Sequence, residues 1–362
     1  MTVVRVAACH VPPIFLSAKA TTSKAISLIK QAAQNKANLV VFPETYISAF
    51  PIWSSIRAPT ENHDLFKKMA HESIFADGDE IHTIRNTAKE ANIMVSLGFS
   101  EKARFSSATL YNSNLFIGST GEVMIHHRKL MPTFFEKLTW SPGDGHGLRV
   151  ADTPYGKIGN LICGENTNPL ARYSLMAQGE NIHISTWPPI WPTRIPAPAE
   201  VSGSSEKRSD KPNYDNVTAN RTRAAAHCFE AKCFGVLCSS VLGNDAIQSV
   251  SGGSEYLTQV LQQSQRGATQ FLDPTGALLK GFTIDDQTGE TVDTDFLQHD
   301  EGILYADLDI EDCIEGKQYH DVVGGYQRLD VFDLKVNRTR REPVTFTKDI
   351  GKVPSQDWQP ID

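Results

Sequence analysis

Three short stretches of this chain set a reactive side chain at the end of an apolar run. Val40-Val41-Phe42-Pro43-Glu44 ends in a carboxylate, His127-Arg128-Lys129-Leu130 carries an ammonium, and Leu161-Ile162-Cys163-Gly164-Glu165-Asn166 carries a thiol. Taken singly, each has a plain structural reading: Glu44 caps a turn, Lys129 is a surface cation, and Cys163 is a buried filler. Taken together, a thiol, a carboxylate and an ammonium at three strand tips make up the parts for nucleophilic attack on a carbon–nitrogen bond. Gly164 leaves room beside the sulfur, and Glu165-Asn166-Thr167-Asn168-Pro169 reads as a helix opening. A thiol near a helix N-terminus and a lysine is expected to have a lowered pKa.

Composition limits the alternatives. The 362 residues are 40% hydrophobic and 21% charged, which is ordinary for a soluble globular chain that builds a sizeable core. The net charge of −7, with no basic block, argues against a nucleic-acid partner. The N-terminal Met1-Thr2-Val3-Val4-Arg5-Val6 reads as a strand, so neither a secretory leader nor a membrane span is expected. Six scattered cysteines lack the density of a disulfide scaffold, and the reading is a reducing, cytoplasmic compartment. Cys228, Cys233 and Cys238 lie where a helix passes into a buried strand and read as inert core residues.

The elements that position these groups alternate along the chain. Strands are expected at 3–11, 39–42, 93–99, 181–185, 233–240 and 302–308, and helices at 18–35, 78–91, 169–179 and 215–232, with Asp79 as an N-cap. Tyr111 to Ile117, Ser119-Thr120-Gly121-Glu122 and Val123 to His127 spell a hairpin, and a second strand pair runs from Leu148 to Ile162. Hairpins mixed with helical crossovers imply a mixed sheet in an α/β fold. The segments 197–213 and 283–300 read as surface loops. Residues 1–335 read as one domain, with 336–362 as a surface tail. His183 alternates within Asn181-Ile182-His183-Ile184-Ser185 and reads as a hydrogen-bonded strand residue, not a metal ligand.

The chain resembles the nitrilase branch of the carbon–nitrogen hydrolase superfamily. The matching stretches are Phe42-Pro43-Glu44, Phe50-Pro51, His127-Arg128-Lys129-Leu130-Met131-Pro132-Thr133, Glu136, Trp140, Gly143-Asp144-Gly145, Cys163-Gly164-Glu165-Asn166 and Pro169-Leu170. The resemblance implies an α-β-β-α sandwich that pairs to α-β-β-α-α-β-β-α across a homodimer and extends into spirals. It implies a Glu44–Lys129–Cys163 triad, with Glu136 as a second glutamate that supports the lysine. No metal and no organic cofactor are called for. Many nitrilases carry tryptophan directly after the nucleophile. Gly164 departs from that pattern and should reshape the pocket, for which Thr133, Trp187 and Pro188 are further lining candidates. The stiff run Trp187-Pro188-Pro189-Ile190-Trp191-Pro192 reads equally as a pocket wall and as a rigid loop at a subunit contact.

The function implied is hydrolysis of an organic nitrile to the carboxylic acid and ammonia through a cysteine thioimidate and thioester. Hydration of cyanide or a nitrile to an amide, and a silent assembly protein, are the competing readings. Glu165 stays open between a polar support and a helix cap.

Overall fold

The computed structural model describes residues 3–194, 215–285 and 287–344. The segment 197–213 lies outside the described residues. In chain order the strands are β1 (Val3–His10), β2 (Leu39–Val41), β3 (Met94–Lys102), β4 (Leu110–Ile117) and β5 (Val123–Arg128). There follow β6 (Ala151–Thr153), β7 (Gly156–Ile162), β8 (Ile182–Trp187), β9 (Phe234–Ser239) and β10 (Thr269–Leu272). The last are β11 (Leu278–Leu279), β12 (Gly281–Ile284), β13 (Thr291–Thr294), β14 (Phe296–Leu297) and β15 (Gly302–Asp309). They form two mixed sheets, ordered β13-β12-β15-β1-β2-β3-β4-β5 and β11-β10-β9-β8-β7-β6, with β14 on β10.

Alternation along the strands explains the layers, because successive side chains face opposite sides of a sheet. In β1, Val4, Val6 and Ala8 pack between the sheets against Ile182, Ile184, Phe234 and Val236. Ala7 and Cys9 face the other way, onto the helices Ala18–Gln34 and Asp79–Ala91 through Leu28, Ile29, Ile81 and Ile84. On the far side, the helices Pro169–Met176 and Asn216–Ala231 cover the second sheet with Met176, Ala224 and Cys228. The result is the α-β-β-α sandwich. Each Val, Leu or Ile buried this way contributes about 1.5–3 kcal/mol, so the inter-sheet layer is a principal source of stability.

Two expectations need correction. The stretch 283–300 is not a plain loop: β12 and β13 pair antiparallel through it, Thr283 opposite Val292. β12 packs Phe282 and Ile284 against the core, while β13 is mostly polar and exposed and so gives no apolar run to read. Gly78, not Asp79, caps its helix, and Asp79 is the first helical residue. Beyond these, Arg340 Nη1 approaches Asp144 Oδ1 at 3.3 Å and Arg340 Nη2 donates to the His126 carbonyl.

Candidate active site

β2 and β5 point the same way in the first sheet, so Glu44 and Lys129, just past their C-terminal ends, emerge together. Cys163 follows β7 of the second sheet. The loop carrying Glu44 crosses β3 closely: a Cβ on Gly98 would lie 2.2 Å from the Pro43 carbonyl oxygen, so only glycine fits there. Cys163 has φ +50° and opens a 3₁₀ turn through Thr167. That left-handed conformation costs a β-carbon-bearing residue energy, and it lifts the thiol out of the strand line.

Lys129 Nζ donates to Glu44 Oε1 at 2.8 Å and to Glu136 Oε1 and Oε2 at 2.9 and 2.7 Å, all three side chains being fully buried. Asn112, inside β4, holds both halves of this pair. Its side-chain amide donates to Glu44 Oε1 at 2.7 Å, and its backbone carbonyl accepts from Lys129 N at 2.8 Å. Glu44 Oε1 is thereby filled, while the buried Oε2 has no partner. One carboxylate oxygen of Glu44, one of Glu136 and Cys163 Sγ lie within 4.8 Å of one another. Three such donors around a point also suit a cation, and here the cation between the carboxylates is the Lys129 ammonium.

Burial dominates the electrostatics. It pushes Glu44 up to about 7, with Lys129 pulling down and Glu136 pushing further up. It drives the Cys163 thiol well above its ordinary value; Glu44 adds to this, while Lys129 and Arg223 oppose it. The expectation of a lowered thiol pKa is therefore corrected. The sulfur rests protonated, because desolvation outweighs the ammonium and the short turn. Burial alone would lower Lys129, but Cys163, Glu136 and Glu44 overcome it and hold its pKa well above the usual range. The resting site is thus a thiol, a carboxyl with a raised pKa and an ammonium, and a base is required to generate the nucleophile.

The remaining expected residues fall around this centre. Glu136 Oε2 also accepts from Thr133 N at the start of the turn Phe134–Leu138. A Cβ on Gly164 would lie 2.6 Å from Thr133 Oγ1, so these two residues touch. Trp187 ends β8 fully buried, in one cluster with Ile162 and Cys163, and Arg223 lies over its ring at 5.6 Å. Pro188 follows it, buried, and its carbonyl accepts from Ser239 Oγ. The next residue, Pro189, lines a small cavity of ≈ 20 Å³ that reaches Glu44 between Phe15, Ala49, Phe50 and Leu242. Trp191 stacks on Phe135 with ring centroids 4.3 Å apart, and Phe50 meets Phe135, Trp140 and Trp191 edge-on. The aromatic run is therefore inside the protein, not an exposed loop.

Sequence reasoning missed Asn112, a polar residue in mid-strand with no motif around it. It also missed a buried chain behind the nucleophile. Asn166 Nδ2 donates to the Cys163 carbonyl at 3.0 Å, and Asn166 Oδ1 meets His183 Nε2 at 2.8 Å. His183 Nδ1 meets Glu180 Oε1 at 2.9 Å, and His227 Nε2 meets Glu180 Oε2 at 2.6 Å. His183 is the hydrogen-bonded strand residue its alternation indicated. Cys228, Cys233 and Cys238 are fully buried free thiols.

The carbon-nitrogen hydrolase family model matches residues 5–318. An arylacetonitrilase of Hypocrea virens is 33% identical over 93% of this chain and 92% of its own length. A nitrilase of Penicillium rubens is 33% identical over 96% and 98%, and a cyanide hydratase of Stereum hirsutum 32% over 96% and 87%. Among solved structures, the Nit3 protein of Saccharomyces cerevisiae aligns with a TM-score of 0.62 at 20% identity, over 90% of this chain and 97% of that one. The NitFhit protein of C. elegans aligns at 0.63 and 17% identity, over 95% and 69%.

Proposed function

Because this chain belongs to the carbon–nitrogen hydrolase family, in its nitrilase branch, we propose that it hydrolyses an uncharged, apolar organic nitrile to the acid and ammonia. The observation that carries the chemistry is the unpartnered Glu44 Oε2 in a cluster with the Cys163 thiol and the Lys129 ammonium. Glu44 Oε2 takes the thiol proton, the sulfur attacks the nitrile carbon, and that proton passes to the nitrogen to give a neutral thioimidate and free the carboxylate. Lys129 stabilises the negative charge that develops on nitrogen, and Glu136 holds the ammonium in place. Water, activated by Glu44, adds to the thioimidate; breaking C–N expels ammonia and leaves a thioester. A second water releases the carboxylic acid and restores the thiol.

The apolar side chains around Glu44, with Phe15, Ala49, Phe50 and Leu242 lining the small cavity there, support an apolar substrate. Thr133, Gly164, Trp187 and Pro188 would meet the substrate around the sulfur. A second reading is supported by the resemblance to the cyanide hydratase: breaking C–S instead of C–N in the same tetrahedral intermediate releases an amide. Incubation with aliphatic, aromatic and arylaliphatic nitriles and with cyanide, measuring ammonia, acid and amide separately, tests both. Acid with stoichiometric ammonia supports the nitrilase; amide alone supports the hydratase; no product from any of them ends the proposal.

The proposal includes a homodimer or longer spiral assembly. Leu170, Phe229, Ile314, Tyr319, Tyr326 and Phe332 are exposed, and part of this apolar surface flanks the helix Pro169–Met176. Sedimentation giving a fully active monomer at micromolar concentration would remove that part. It also includes a reducing cytoplasmic setting, which suits a thiol nucleophile.

A further inference from the structure

Lys129 and Cys163 come from different sheets, and among the described residues no strand ladder joins those sheets. Between them lies mainly apolar packing, with side-chain hydrogen bonds such as His10 Nδ1 to the Ser239 carbonyl elsewhere along the seam. At the site, one carboxylate spans the gap. Glu165, fully buried, accepts from Ile162 N at 2.8 Å through Oε2, next to the nucleophile. Through Oε1 it accepts from Leu130 N at 2.6 Å, next to the lysine. His127 Nε2, in β5, meets both oxygens at 2.9 and 3.1 Å. His127 Nδ1 is buried without a partner, so the ring donates through Nε2 and the carboxylate accepts every bond it makes.

We propose that Glu165, held by His127, is a positioning residue that sets the distance between Cys163 Sγ and Lys129 Nζ across the two sheets. A helix cap would need only the bond to Ile162 N. The bonds to Leu130 N and His127 reach the other sheet and serve no turn. The contact with His127 and the backbone donors also hold Glu165 below the usual carboxylate range against its burial, so it stays an acceptor. Both open readings of this glutamate are thus partly right: it closes the nucleophile's turn and ties that turn to the lysine. Losing the tie leaves all reacting groups present but misplaced, and a misplacement of about 1 Å costs on the order of 100-fold in rate.

This inference rests on the roles proposed for Cys163 and Lys129, and its test reads the thiol without any nitrile. In Glu165→Gln the amide turns a donor toward donors. The expected kcat falls about 100-fold with KM within about threefold. The pH midpoint for alkylation of Cys163 by iodoacetamide should rise by about one unit as the ammonium recedes. His127→Leu should move both in the same direction, while His127→Gln, which supplies its own N–H, should recover most of the loss. A lowered melting temperature with unchanged kcat and midpoint would make Glu165 a cap only and overturn the proposal. If Glu165→Gln does not fold, the two His127 variants decide it: equal midpoints overturn it. If the wild-type protein hydrolyses no nitrile, the proposed function falls, and the midpoints still decide the tie.

Discussion

Two buried carboxylates, Glu44 and Glu180, show opposite behaviour in equally dry surroundings. Burial pushes both upward, yet Glu44 ends at about 7 and Glu180 at about 2. The difference lies in their partners. Both oxygens of Glu180 are taken, by His183 and His227, whereas Glu44 has one oxygen filled and one bare. Glu44 also shares its single cation with a rival carboxylate, Glu136. A saturated carboxylate locks structure; an unsaturated one keeps a site for a proton. In this molecule the first anchors the back of the nucleophile's turn, and the second faces the thiol.

The sharpest break of that comparison removes the reacting atom. Cys163→Ala should lower turnover by on the order of 10⁴-fold or more with fold and oligomer intact. Cys228→Ala, in the helix beside Glu180, should leave kcat within a few-fold. A slow substrate should leave a mass adduct on Cys163 after acid quenching. Equal losses in both cysteine variants would end the assignment of the nucleophile.

Next comes an exchange of outcomes between the two glutamates. Glu44→Gln should abolish turnover with little loss of melting temperature, because it replaces a buried charge whose own burial is unfavourable. Glu180→Gln cannot accept from both imidazoles and should destabilise by about 2–4 kcal/mol, with kcat per folded molecule far less affected. Acid should expose the same contrast in the wild type. His227 is lowered to about 4, so between its ordinary value of 6.5 and 4 the unfolded chain takes a proton that the native chain refuses, and stability falls as pH drops. Glu180, also lowered, loses its contribution only on further acidification, from its ordinary 4.5 toward 2. Urea midpoints between pH 7 and 4 measure the first slope, and Glu180→Gln should change it.

How legible these two regions were in the sequence follows from the same contrast. Glu44, Lys129 and Cys163 each end an apolar strand within a motif, so type and position announced them. Glu180 and His227 are 47 residues apart and meet only when a helix is laid over β8. No local pattern carries that pairing. A mixed sheet was readable from the alternation of hairpins and helices, and the sandwich from the family resemblance, but the β12–β13 hairpin was not, since Thr291 to Thr294 are mostly polar and exposed. The thiol's pKa was misjudged because a neighbouring lysine is visible in sequence while burial is not.

A smaller effect concerns the filled oxygen of Glu44. Its acid form is inactive as a base, so kcat/KM should rise with pH along a limb centred near 7, a value belonging to the coupled cluster. Asn112 donates to the ionised form and so lowers that limb. Asn112→Ala should move it upward by about one unit, equivalent to about 1.4 kcal/mol, and reduce kcat/KM at pH 7 about fivefold. A limb that stays in place would show that Asn112 serves only the backbone of Lys129.

The smallest perturbation tests whether the nucleophile's turn is packed against the lysine's support. The methyl of Gly164→Ala would arrive 2.6 Å from Thr133 Oγ1, so the threonine, whose backbone N–H is held by Glu136 Oε2, must shift. Through Glu136 that shift should loosen Lys129 enough to lower kcat about threefold. Thr133→Ala removes the obstacle. Added to that background, Gly164→Ala should cost almost nothing, a coupling that a double-mutant cycle reads directly. Gly164→Trp goes further, since its indole must also occupy space beside the sulfur. It should shift preference toward smaller nitriles and alter the acid-to-amide ratio. Additive effects of Gly164→Ala and Thr133→Ala, with an unchanged product ratio in Gly164→Trp, would mean that this contact neither lines the pocket nor transmits to Glu136. Selectivity would then rest with Phe50, Pro189 and Leu242 around the cavity beside Glu44.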